Sequence, residues 1–189
     1  MAYADFSHWQ VYDDTGRRKY VSGEERQRFM AAAELLPAAG MSLCHTLALT
    51  GCRISEALTL ARHQIDCERC TLTFRTLKQR RTIYRTVPVP ADLMKLLQTL
   101  PAAEDECLWA MHRATAWRMV KTTMDLARIT GPMACCKGLR HGFGMHAASK
   151  NVPPNLIQRW MGHSSSATTA IYLDAVGLEE REFARRMWD

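Results

Sequence analysis

The chain has 189 residues, and its 25 Lys and Arg against 19 Asp and Glu give a formal net charge of +6. With 47% hydrophobic and 23% charged residues it has enough apolar surface for a core, which excludes wholesale disorder and a disulfide-stapled miniprotein. No run approaches 18 apolar residues and no apolar block opens the chain, so neither a membrane span nor a signal peptide is expected. Seven irregularly spaced cysteines fit reduced thiols. We therefore expect a soluble protein of the bacterial cytoplasm, without membrane association.

Positive charge gathers in one segment of the chain. Residues 75–85 contain five basic side chains and no acidic one. A scattered excess of six charges would merely aid solubility, so this cluster is the feature that indicates an anionic partner. Its basic members are Arg75, Lys78, Arg80, Arg81 and Arg85.

The N-terminal half predicts an arm followed by helices. The first twenty residues are expected to be irregular, and a Ser-x-x-Glu capping box ahead of helically spaced apolar residues predicts a helix over about 23–36. Pro37 and Gly40 are expected to separate it from a second helix over 42–50. A glycine then interrupts the pattern, which places Arg53 at a corner between two helices.

The rest of the chain predicts a small sheet and then more helices. Between residues 64 and 89, Thr-rich segments with alternating apolar residues predict an antiparallel sheet whose turn lies near Lys78–Arg81. Helical spacing returns after Pro90 and persists to a terminal helix from Glu179. The expected fold class is therefore mostly α with a small antiparallel β-sheet.

Residue types that suit phosphate chemistry follow one another in a definite order. Two guanidinium groups, proton donors and a nucleophile are what a phosphate-processing site needs. The candidates are Gly51-x-Arg53-x-x-Glu56, Lys78, Lys137-x-Leu139-Arg140-His141, Gly162-His163, and Tyr172 nine residues after His163.

These motifs resemble the catalytic domain of the tyrosine recombinases, the family of phage-type integrases, resolvases and DNA invertases. The resemblance spans nearly the whole chain after residue 20 and is most specific over residues 138–146, 156–165 and 168–172. It implies that fold, double-stranded DNA as substrate, and strand breakage and rejoining through a 3′-phosphotyrosyl intermediate, without a metal or cofactor. Integration, excision and inversion are all compatible with it.

The resemblance implies a role for each matched residue. Arg53 and Arg140 would clamp the scissile phosphate and stabilise the transition state, while Tyr172 would attack phosphorus. Lys78 would protonate the leaving 5′ oxygen, and His163 would bind a nonbridging oxygen.

Other residues have weaker assignments. Lys137 stands where most relatives have histidine, so a role as base stays open beside transition-state stabilisation by its charge. Glu56 would orient Arg53, with a plain surface carboxylate as the alternative. His141 is expected to pack beneath the site without a direct role. Contacts to DNA phosphates or water are expected for Arg75, Arg80, Arg81 and Arg85.

The expected organisation is an arm over residues 1–20 and a catalytic domain over 21–189. The N-terminal domain with which many relatives close around DNA is not expected here, and a natural short form, a truncated form and a gene remnant all fit. Recombination would need a homotetramer on two sites, while the free protein is compatible with a monomer. The terminal helix would dock on a neighbouring protomer or pack in cis.

Three alternative interpretations stay open. A type IB topoisomerase-like relaxase would use the same chemistry without partner exchange, and a non-catalytic DNA-binding remnant would occupy sites or modulate a full-length partner. The motif Cys67-x-x-Cys70 allows a zinc site completed by Cys135 and Cys136, although a turn between strands is favoured.

Overall fold

The structure is a computed structural model that describes residues 11–78, 81–174, 185 and 187–188, with the backbone alone at 77, 78, 81 and 174. Within these ranges the chain forms eight α-helices and one three-stranded antiparallel sheet, which confirms the predicted fold class. The helices are α1 (Gly23–Ala33), α2 (Ala38–Thr50), α3 (Ile54–Ala57), α4 (Ala91–Gln98), α5 (Arg113–Leu126), α6 (Cys136–Ser149), α7 (Pro154–Met161) and α8 (Ala167–Asp174). The strands are β1 (Ile65–Asp66), β2 (Thr71–Lys78) and β3 (Arg81–Pro88), and a 3₁₀ turn spans Arg62–Gln64.

The predicted capping box begins α1. The Ser22 hydroxyl accepts the Glu25 backbone N–H at 3.3 Å, and the Glu25 carboxylate accepts the Ser22 N–H at 2.9 Å. The same carboxylate pairs with Arg18, so it also holds the end of the arm against α1. Of the predicted arm, the structure describes residues from 11 onwards, and these form a turn closed by a bridge between Tyr12 and Arg18.

The helix α2 begins earlier than predicted because Gly40 does not break it. A Cβ at Gly40 would lie 3.1 Å from both the Leu36 Cβ and the Met119 sulfur, so the glycine permits close packing of α2. Pro37, the other residue expected to separate the two helices, is the N-cap residue of α2. The prediction that Gly40 breaks the helix was wrong, because the sequence alone does not distinguish a glycine that ends a helix from one that allows two segments to pack closely.

The sheet forms where it was predicted. β2 and β3 pair along their whole length, from Thr71 opposite Pro88 to Lys78 opposite Arg81, as the predicted antiparallel sheet requires, while residues 79 and 80 lie outside the described part of the chain. β1 pairs antiparallel with β2, and residues 67–70 form the turn between them. This is the turn that was favoured over a zinc site for Cys67 and Cys70.

Two clusters of buried side chains hold the helices together. The larger contains buried residues of α1 to α6 together with Leu72, Phe74 and Val87 from one face of the sheet. The smaller joins α6, α7 and α8, and contains Val11, Phe143, Ile157, Met161 and Tyr172. The helix α6 therefore lies between the two clusters. No helix in the described ranges is long and apolar enough to cross a membrane.

The terminal helix predicted from Glu179 falls on residues that the structure mostly leaves undescribed. Only 185, 187 and 188 of its range are described, and Met187 and Trp188 are exposed. Whether that helix docks in cis or on a neighbour thus stays a prediction.

Substituting Gly138 with alanine tests the packing of α6. A Cβ at this position would lie 1.8 Å from the Met133 carbonyl oxygen, so backbone must move, and we expect a loss of about 1–3 kcal/mol in the free energy of unfolding. The matched change Gly23→Ala meets no atom within 4 Å and should alter stability by less than about 0.5 kcal/mol. Urea denaturation measures both, and equal effects would contradict the packing.

Candidate active site

The corner that carries Arg53 depends on a glycine. Gly51 ends α2 in the left-handed conformation, φ 62°, and a Cβ there would lie 2.6 Å from the Phe143 ring. The chain then turns so that Arg53 becomes the N-cap residue of α3. The Arg53 backbone N–H donates to a Glu56 carboxylate oxygen at 2.7 Å, and its Nη1 donates to the other oxygen at 3.0 Å. The predicted corner is confirmed.

Glu56 is a buried carboxylate with four partner groups. Its side chain is 5% exposed, so the alternative of a surface carboxylate is wrong. Besides Arg53 it accepts hydrogen bonds from the Thr76 hydroxyl at 2.8 Å and from the Arg85 Nη2 at 2.6 Å. Burial alone would raise the pKa of Glu56, but the hydrogen bonds and charge of Arg85 outweigh it and lower that pKa to about 2. Glu56 is therefore ionised at neutral pH.

The prediction that Arg85 contacts DNA is wrong. Its side chain is as buried as that of Glu56, donates from Nε to the Trp160 carbonyl at 2.8 Å, and lies over the Phe74 ring at 5.3 Å. The reason is strand geometry, because Arg85 shares the inward face of β3 with Val87. Arg85 thus ties the sheet to α3 and α7.

The other members of the basic cluster are placed differently. Arg75 is exposed and, like Arg53, lines a pocket of about 460 Å³. Lys78 and Arg81 are the last and first residues of their strands, and their side chains lie outside the described part. Arg80 also falls outside the described residues.

Arg140 is fixed by two backbone carbonyls. Its Nη1 donates to Gly51 and its Nη2 to Met161, each at 2.6 Å, so one guanidinium joins the end of α2 to the end of α7. Burial and the nearby charge of Arg53 lower its pKa to about 10, which leaves it cationic at neutral pH.

His163 follows a left-handed glycine at the end of α7. Gly162 has φ 65°, and a Cβ there would lie 3.1 Å from the Arg85 guanidinium carbon. The His163 Nδ1 is 2.9 Å from the Thr169 hydroxyl. Burial and the charge of Arg140 lower the pKa of His163 to about 3, so its imidazole is neutral at neutral pH.

Tyr172 is buried on α8 with its hydroxyl against His141. The side chain is 2% exposed, and its oxygen is 2.9 Å from the His141 Nδ1. Its ring stacks on His163, with centroids 6.0 Å apart, and passes so close to Gly144 that a Cβ there would lie 2.6 Å away. Burial raises the pKa of Tyr172 to about 12 against the opposing charge of Arg140. The contact with His141 was missed at the sequence level.

One pocket of about 310 Å³ brings most of the predicted site together. Arg53, Lys137, Arg140, His163 and Tyr172 all line it, and Lys137 is exposed at the first turn of α6. The remaining lining residues are Cys52, Ile54, Ser55, Arg113, Cys136 and His141. Four cationic side chains, those of Arg53, Arg113, Lys137 and Arg140, and a phenol around one cavity can hold an anion beside a nucleophile.

Within the described ranges, no group of three or more His, Cys, Asp and Glu side chains is arranged to hold a metal ion. Cys67 accepts a hydrogen bond from the Gln98 amide, and the Cys70 thiol faces the Cys67 carbonyl. The geometry of that turn therefore does not favour the zinc alternative.

A family model described as the phage integrase family matches residues 19–177. The chain belongs to this family. Among curated relatives, it is 28% identical over 149 residues to the tyrosine recombinase XerA of Pyrococcus furiosus, covering 72% of this chain and 50% of that protein. It is 32% identical over 166 residues to the tyrosine recombinase XerC of Bradyrhizobium diazoefficiens, covering 80% and 48%. The chain thus spans about half the length of the curated relatives it matches.

Solved structures share the fold of this chain. A crystal structure of XerA recombinase has a TM-score of 0.74 at 23% identity, covering 89% of this chain and 64% of that one. The catalytic domain of bacteriophage HP1 integrase has a TM-score of 0.65 at 22% identity, covering 81% and 85%. The fold is therefore that of a tyrosine recombinase catalytic domain.

Replacing Arg85 with methionine tests the buried ion pair. Because it leaves the Glu56 carboxylate buried without its main partner, we expect a loss of about 3–5 kcal/mol in the free energy of unfolding. The matched change Arg69→Met removes an exposed ion pair with Asp66 and should cost less than about 0.5 kcal/mol. Similar midpoints of chemical denaturation for the two variants would be inconsistent with this role.

Proposed function

We propose that this chain is the catalytic part of a site-specific DNA recombinase that cleaves one DNA strand through Tyr172. The observation that carries the proposal is the single pocket lined by Arg53, Arg140, His163, Lys137 and Tyr172. This arrangement suits the exchange of one phosphodiester for another, because it offers anion-holding groups and a nucleophile side by side.

The scissile phosphate would lie between the two arginines. Arg140 is held by two carbonyls and Arg53 by Glu56, so both guanidinium groups are positioned before DNA binds. Preorganised donors stabilise the charge that develops on a pentacoordinate phosphorus without reorganising during the reaction. A neutral His163, with Nδ1 accepting from Thr169, would donate its Nε2–H to a nonbridging oxygen.

The Tyr172 oxygen would form a bond to phosphorus as the bond from phosphorus to the 5′ oxygen breaks. The product is a 3′-phosphotyrosyl bond and a free 5′ hydroxyl, so the phosphodiester energy is retained and no cofactor is consumed. The phenol is protonated at neutral pH and must lose its proton on attack. Lys137 at the pocket rim would stabilise the charge, and Lys78 would protonate the leaving oxygen.

Double-stranded DNA is the proposed partner. A structural neighbour of the domain is described as XerH site-specific recombinase bound to its difH substrate, and another as a lambda integrase dimer bound to a core site. Because one domain supplies one nucleophile, exchange between two duplexes would need four protomers. The arrangement of DNA sites would then decide between integration, excision and inversion.

Covalent trapping tests the nucleophile. With nicked synthetic duplexes drawn from the DNA that flanks the gene, the wild-type protein should give an adduct on a denaturing gel, attached to a 3′ end. Tyr172→Phe should abolish it, and Arg140→Ala should slow its formation by at least about 10²–10³-fold.

The matched control is Tyr84→Phe, which changes an exposed tyrosine of β3 and should trap DNA like the wild type. An adduct that persists in Tyr172→Phe would refute the assignment. DNA binding without any wild-type adduct would favour the non-catalytic binding protein.

A further inference from the structure

We propose that His141 is a positioning residue for Tyr172, donating its Nδ1–H to the phenol oxygen and so aiming the hydroxyl proton at the phosphate pocket. The proposal rests on the proposed role of Tyr172 as nucleophile. His141 would act only through that tyrosine, without itself touching DNA.

The contact joins two helices at the centre of the site. His141 directly follows Arg140 on α6, and its Nδ1 is 2.9 Å from the Tyr172 oxygen on α8. Both side chains are buried, at 4% and 2% exposure, so water does not compete strongly for this hydrogen bond. The bond therefore fixes the position of the phenol oxygen as well as that of the ring.

Burial of the far ring nitrogen selects the tautomer. The Nε2 atom of His141 is buried and has no hydrogen-bond partner among the described residues. A neutral imidazole carries one N–H, and a buried N–H without an acceptor is rarer in proteins than a bare buried acceptor. The proton therefore belongs on Nδ1, where it has the Tyr172 oxygen as acceptor.

The surroundings of His141 keep the ring neutral. Burial lowers its pKa to about 4, and the charged groups that act on it are all cations, namely Lys137, Arg140 and Lys19. A neutral ring with so low a pKa is a poor acceptor for the proton of a phenol whose own pKa is near 12. His141 thus fits the role of donor better than that of general base.

The direction of this hydrogen bond has a chemical consequence. Because the phenol oxygen accepts from His141, its own proton is free to point into the pocket that Lys137 and Arg140 line. When that proton leaves, the phenolate keeps the N–H donor, which partly offsets the cost of a buried anion. The stacked ring of His163 does not duplicate this role, since its Nδ1 is already engaged by Thr169.

Two substitutions separate the donor from the packing. The Asn side chain in His141→Asn can place an N–H near the former Nδ1, whereas His141→Leu fills similar space without a donor. We expect His141→Leu to slow single-turnover adduct formation on the nicked duplexes roughly tenfold, the value of one hydrogen bond, with DNA affinity unchanged. His141→Asn should recover most of that rate. Equal rates for the wild type and His141→Leu would overturn the proposal, as would equal losses in the two variants.

A second measurement needs no DNA and no variant of His141. Long-range ¹H–¹⁵N correlation spectra of the ¹⁵N-histidine-labelled protein at pH 7 report which ring nitrogen is protonated. We expect a neutral Nδ1–H tautomer, and a shift of that nitrogen signal in Tyr172→Phe. An Nε2–H tautomer, or a signal indifferent to loss of the phenol oxygen, would overturn the proposal. This result stands even if no duplex yields an adduct, so failure of the proposed function would be recognised separately.

Discussion

The carboxylate of Glu56 is the group on which the arrangement of the site depends. It accepts from Arg53 at the start of α3, from Thr76 on β2 and from Arg85 on β3. Arg85 in turn holds the Trp160 carbonyl near the end of α7. One buried anion thus connects the sheet to both segments that line the pocket. A buried carboxylate is costly to ionise without partners, so these donors, Arg85 above all, keep it charged.

The helix α6 supplies the opposite wall of the site. Its Arg140 donates hydrogen bonds to two backbone carbonyls rather than to a carboxylate, so these bonds position the guanidinium without neutralising its charge. Burial of the rings and the nearby charge of Arg140 lower the pKa of both His141 and His163, so both imidazoles are neutral. Positive charge in the described part of the pocket therefore comes from arginine and lysine side chains. The two imidazoles are uncharged and contribute hydrogen-bonding groups only. This division suits a site that must hold a phosphate diester and also allow a phenol to ionise.

Much of the fold followed from local signals in the sequence. The capping box, the glycine before Arg53 and the alternation in the strands each have a short-range physical cause, and each correctly located its element. The gathering of Arg140 and Tyr172 around one pocket was reached only through the resemblance, since no local pattern brings α6 and α8 together.

The wrong predictions concern residues whose environment is set by tertiary contacts. Arg85 was counted with a basic cluster, yet strand alternation turns it inward, and its inward neighbour Val87 could have signalled this. His141 was predicted to have only a packing role, because the sequence could not show that the Tyr172 hydroxyl lies within hydrogen-bond distance of its ring. Gly40 was interpreted as a helix breaker because its contact with Met119 is seen only in the fold.

Peptide mapping by mass spectrometry of the trapped protein–DNA complex tests the central claim most directly. After nuclease and protease digestion, the account predicts a single nucleotide remnant on the peptide that contains Tyr172, linked through the 3′ phosphate of the cleaved strand. A remnant on any other residue, or one linked through a 5′ phosphate, would contradict it.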